Sequence, residues 1–81
     1  MVLALRDMAV GEAGRVSGYL EGCAPEYRRK LLSMGLTRGT AIKVTRVAPL
    51  GDPVEIVLRG FSLSLRRGEA AVLLVDKDDP A

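Results

Sequence analysis

From Thr40 onward the apolar residues recur at every second position, a period that restricts this part of the chain to β structure. Ile42 and Val44 alternate with Lys43 and Thr45. Val54, Ile56 and Leu58 face one way, with Glu55 and Arg59 the other. Phe61, Leu63 and Leu65 alternate with Ser62, Ser64 and Arg66. Turn residues separate these runs: Pro49-Leu50-Gly51-Asp52-Pro53 reads as a rigid turn, Gly60 as a tight turn or bulge, and Gly68-Glu69 as a further turn. The continuous run Ala70–Val75 suits a strand buried on both faces, and the charged residues Asp76–Ala81 read as a frayed tail.

The first half contributes one more strand and a helix. Arg15-Val16-Ser17-Gly18-Tyr19-Leu20 alternates weakly, and Gly22-Cys23-Ala24-Pro25 ends it. Pro25 suits the first turn of a helix, where its missing N–H has no partner to lose, and Glu26 beside it favours the positive end of the helix dipole. Tyr27, Leu31 and Met34, with Leu32 beside them, form an apolar stripe, while Arg28, Arg29 and Lys30 fall mostly on the other side. Gly35 and Leu36 fit a left-handed helix stop. This predicts one helix of about ten residues, and no other segment has a good helical pattern. Ahead of it, Leu3, Leu5 and Met8 are candidate core anchors.

Five short strands at spacings of about ten residues predict a small closed or nearly closed barrel. The helix falls between the first and second strands and covers an open end. Closure also removes the exposed edges that so apolar a sheet cannot leave free. With 81 residues, the expected organisation is one domain over 1–75 followed by the tail 76–81.

Composition narrows the chemistry. There is no His and no Trp, and a single Cys excludes an internal disulfide and four-cysteine zinc sites. Cys23 precedes a helix start but has no partner base, so it reads as a small, partly buried filler. Asp52 and Glu55 read as a turn acceptor and an exposed strand residue. No phosphate-binding glycine loop is present. The sequence therefore predicts no enzyme, no cofactor, no metal site and no small-molecule substrate. The longest apolar run is far short of the ~20 residues that cross a bilayer, and the amino terminus lacks a signal-peptide layout. The expected location is the cytoplasm.

The net charge of +2 conceals an uneven distribution: residues 25–47 carry +5, and both ends are acidic. Such a segment suits anionic lipid, nucleic acid or an acidic protein face. With 4% aromatic residues there is little to stack bases or to line a proline-peptide groove, and Tyr27 and Phe61 are expected in the core. A protein partner remains. The candidate contact residues are Leu50, Asp52 and Pro53 on the rigid loop, with Arg28, Arg29 and Lys30 supplying charge. Self-association through an apolar edge at Val54–Leu58 is a further alternative.

The segments Tyr27-Arg28-Arg29-Lys30-Leu31-Leu32-Ser33-Met34-Gly35-Leu36, Val47-Ala48-Pro49-Leu50-Gly51-Asp52-Pro53 and Leu63-Ser64-Leu65-Arg66-Arg67-Gly68-Glu69-Ala70, in that order, strongly resemble the FeoA family. Leu5-Arg6-Asp7-Met8 and Gly11 to Val16 resemble its start, so the likeness covers roughly residues 5–75. It implies an SH3-like β-barrel. It also implies a non-enzymatic accessory role in bacterial ferrous iron uptake, beside a FeoB-type membrane transporter with a GTP-binding domain. The chain would then be peripheral at the inner membrane through that partner. The same domain occurs at the C-terminus of iron-dependent repressors, which implies the alternative of a regulatory or nucleic-acid-binding module. The link to iron comes from the resemblance alone, since no residues here form a recognisable iron site.

Overall fold

The computed structural model describes residues 1–78. Its elements are β1 (Val2–Ala4), β2 (Ala13–Tyr19), α1 (Pro25–Ser33), β3 (Ala41–Val47), β4 (Val54–Leu58), β5 (Phe61–Leu65), α2 (Arg67–Val72) and β6 (Leu73–Lys77). Six antiparallel strands form one sheet in the order β1-β6-β2-β3-β4-β5. Register shifts at Val16/Gly18 in β2 and Val44/Arg46 in β3 bend the sheet around its core. β1 and β5 lie at its two ends.

The alternating pattern is realised most cleanly in β4, where Val54, Ile56 and Leu58 are buried and Glu55 and Val57 are not. Arg59 and Gly60, both with positive φ, join it to β5 as a two-residue hairpin that pairs Leu58 with Phe61. Because β4 bonds to β3 on one side and β5 on the other, the apolar edge expected at Val54–Leu58 does not exist. Helix α1 buries Leu31, and it ends as its sequence foretold. Gly35, at φ 93°, lets the Leu36 N–H reach the Leu31 carbonyl at 3.1 Å and its own N–H reach Leu32 at 3.0 Å. Leu36 is thereby carried into the core.

Four expectations are corrected. β1 adds a sixth strand. Ala70–Val75 is not one strand: its first half completes α2 and its second half opens β6. Asp76 and Lys77 are not frayed, because β6 continues through them opposite Val2, Arg15 and Gly14. The remainder of the proposed tail, 79–81, lies outside the described residues. Finally, Tyr27 and Phe61 are 39% and 47% exposed, so neither aromatic ring belongs to the core. That core is almost wholly aliphatic, with Leu5, Leu31, Leu36, Ile56, Leu58, Leu65 and Leu73 as its largest members.

Candidate functional site

The loop between β3 and β4 is a short turn built on its own backbone. The Gly51 N–H bonds to the Ala48 carbonyl at 2.9 Å, and the Ala48 N–H to the Pro53 carbonyl at 3.0 Å. Within that turn Leu50 adopts φ 69° and ψ 9°, a left-handed conformation that costs an L-residue about 1–2 kcal/mol. Its side chain is 89% exposed, so no burial offsets that cost. The conformation is held from α2. The Arg67 guanidinium donates to the Leu50 carbonyl, and the Arg67 N–H donates to Asp52 Oδ1 at 3.1 Å. Asp52 is thus the turn acceptor that the sequence suggested, with a partner from a helix that the sequence did not show. Pro53 closes the loop after a cis peptide bond.

The first turn of α2 ties this loop to α1. A Cβ on Gly68 would lie 2.7 Å from the Tyr27 hydroxyl, so a glycine here lets the ring lie across the helix. Next to it, the Glu69 carboxylate, only 3% exposed, accepts the Arg66 N–H at 2.8 Å and faces Lys30 Nζ at 2.6 Å. Burial is the largest single influence on Glu69 and pushes its pKa up. The Lys30 ammonium and the Arg66 N–H and charge together outweigh it, and the carboxyl is held below its ordinary range.

Arg28, Arg29 and Lys30 therefore do not act as one basic face. Lys30 is committed to Glu69. Arg28 sits with its guanidinium carbon 6.0 Å from the centre of the Tyr19 ring. The Tyr19 hydroxyl donates to the Leu36 carbonyl at 2.7 Å, and burial raises its pKa. Arg29 is exposed, and among the described residues it has no ion-pair partner. The structure links Leu50 and Asp52 to Lys30 through α2, and it turns Arg28 towards Tyr19 instead. Sequence reasoning missed Arg67 and Glu69, which organise the surface. The one available signal was a Glu three residues after Arg66, the spacing of a helix-start carboxylate.

Among the described residues no three His, Cys, Asp or Glu side chains gather as a metal site. Cys23 is half-buried, as a filler would be. Among the described residues no helix is long and apolar enough to cross a membrane.

The chain is similar to known proteins. A model of the FeoA domain matches residues 3–77. The chain is 40% identical over 50 residues to an Fe(2+) transport protein A/Fe(2+) transporter FeoB fusion protein of Porphyromonas gingivalis. That alignment takes in 62% of this chain and 6% of the fusion protein, so the chain spans only a small part of that relative. The NMR structure of a FeoA-like protein from Clostridium acetobutylicum matches at 39% identity with a TM-score of 0.82, over 93% of this chain and 85% of that one. At 20% identity, Stenotrophomonas maltophilia FeoA, described as a prokaryotic SH3 domain protein complexed with zinc, shares the fold. Its TM-score is 0.80 over 98% of this chain and 99% of that one. With nearly all of its described length matched by the family and its strands arranged as in an SH3-like domain, the chain belongs to the FeoA family.

Proposed function

We propose that this chain is a non-enzymatic accessory protein of ferrous iron uptake that works in the cytoplasm. In this reading it docks on the cytoplasmic GTP-binding part of a FeoB-type transporter and modulates it. The observation that carries the reading is Leu50, held out in solvent in a strained conformation by Arg67 and Asp52. A strained, fully presented apolar side chain adds nothing to the fold. A rigid loop, by contrast, lowers the ordering cost of binding. The fusion relative supports the choice of partner, since it carries the FeoA and FeoB names in one chain.

The docking surface is assigned to Leu50, Asp52 and Pro53, with Arg29 as a rim charge. Lys30 acts indirectly, by fixing α2 through Glu69. Binding to the soluble GTP-binding domain of a FeoB-type transporter, measured by calorimetry, tests this. Leu50→Ala is expected to weaken binding about 5- to 30-fold without loss of thermal stability. Arg29→Glu is expected mainly to slow association and to flatten the salt dependence. If both variants bind as the parent does, at low and at high salt, the surface is wrong.

A further inference from the structure

On the side of α1 away from that loop lies a cavity of about 530 Å³ with no role in the surface just described. It forms where the chain leaves β2, turns through Leu20–Ala24 and enters α1. Arg38, from the turn ahead of β3, closes its far wall. The spacing of α1 explains the division. Lys30 and Leu31 lie on the side facing α2 and the core, whereas Arg28 and Leu32, four residues apart, share the face that lines the cavity.

Its walls combine two kinds of group. Leu20 and Leu32 are large apolar residues left about half exposed, with the Tyr19 ring between the strand and the helix. Arg28 and Arg38 are guanidiniums with no ion-pair partner among the described residues. Arg38 is not a freely moving surface side chain. Its Nε donates to the Ser17 carbonyl at 3.1 Å, which fixes the guanidinium plane and leaves the terminal nitrogens for another acceptor. Glu21 also lines the cavity, without bonding to either arginine.

We infer that this cavity is a binding site for an acidic, apolar peptide segment of a partner protein, with a carboxylate received between Arg28 and Arg38 and an adjoining aliphatic side chain laid against Leu20 and Leu32. Two guanidiniums, neither in an ion pair, outnumber the single Glu21 carboxylate in one concavity and leave it net positive, and their planar forks match carboxylate oxygens. The site is concave and half apolar, which suits an inserted side chain better than the flat face of a lipid bilayer. Glu21 on the wall penalises a doubly charged phosphate more than a single carboxylate. The site goes beyond docking through Leu50, and its test uses no transporter, so failure here leaves that reading standing.

The probe is acetyl-Leu-Glu-Leu-amide, titrated into the isotopically labelled full chain and followed by NMR. The control is its neutral counterpart acetyl-Leu-Gln-Leu-amide. Shifts are expected at Tyr19, Leu20, Arg28, Leu32 and Arg38, with the acidic probe bound about fivefold tighter than the neutral one at low salt. Arg28→Gln and Arg38→Gln should each erase that preference while the melting temperature stays at the parent value. Leu32→Ala should weaken both probes alike. The assignment is overturned by equal binding of the two probes or by the absence of shifts at these residues. It is also overturned if inorganic phosphate displaces the probe at equal concentration, or if phosphatidylglycerol vesicles capture the protein where phosphatidylcholine vesicles do not and the probe fails to compete.

Discussion

Leu50 and Gly14 show opposite demands on a single backbone position. Leu50 occupies a left-handed conformation that glycine adopts without penalty, yet it keeps a large side chain and exposes it. Leu50→Gly is therefore expected to leave thermal stability within about 1 kcal/mol of the parent or slightly raise it, while abolishing the contact proposed for the loop. A clear drop in melting temperature would show instead that the side chain supports the fold. At Gly14 the constraint is space. A Cβ there would run into the Asp76 backbone carbonyl and lie 2.8 Å from Val75 Cγ1 and 2.9 Å from Lys77 Cα. Gly14→Ala must push β6 away from β2, and about 1–3 kcal/mol of destabilisation is expected in a denaturant melt. Neither demand was legible in the sequence. Leu50 reads as a candidate contact residue on a rigid turn, with no sign that its own backbone is left-handed, and Gly14 reads as turn punctuation, because the approach of β6 comes from residues more than sixty positions away.

At the scale of elements, α1 and α2 differ in how plainly they are written. Pro25 and Glu26 at the start, Leu31 inward and Gly35 at the stop are local signals, and the helix lies where they place it. In α2 the run Ala70–Val75 has no period to distinguish helix from strand, and Gly68 weakens any helical reading. The helix forms because Ala70 and Val72 are buried, the Glu69 carboxylate satisfies its first turn, and Lys30 compensates that carboxylate. This arrangement has a pH signature. The folded-state pKa of Glu69 lies below the ordinary value of 4.5, so its ionised form adds stability above about pH 4.5. That contribution is lost as the pH falls through the folded value. The stability of the parent protein should thus decline more steeply below pH 4.5 than that of Glu69→Gln, as read from urea midpoints against pH. The same pairing explains why three consecutive basic residues point to different tasks: helix geometry separates neighbours by about 100°, and what each meets is set by other elements.

For the molecule as a whole, the sheet order β1-β6-β2-β3-β4-β5 places the first and last strands of the described residues side by side at one edge, with β6 passing between β1 and β2. The Lys77 N–H bonds to the Met1 carbonyl at 2.8 Å, and the Lys77 ammonium pairs with Glu12. The stability of β2 and β6 consequently depends on contacts distant in sequence, whereas β1 and β5 each have one neighbouring strand. Hydrogen exchange should find the slowest amides in β2 and β6, around Val16 and Val75, and the fastest strand amides in β1 and β5. Protection of β5 equal to that of β6 would contradict this order. By itself the sequence determined the β class, the four runs around Val16, Val44, Ile56 and Leu63, the limits of α1 and the turn at Pro49–Pro53. These depend on local periods and on residues that restrict their own backbone. Only the tertiary structure decided which strand is central, that Ala70–Val75 divides into helix and strand, that Tyr27 and Phe61 stay outside the core, and which arginines are free. Each of these turns on what a side chain meets across the fold, and a residue's own spacing carries no record of its distant neighbours.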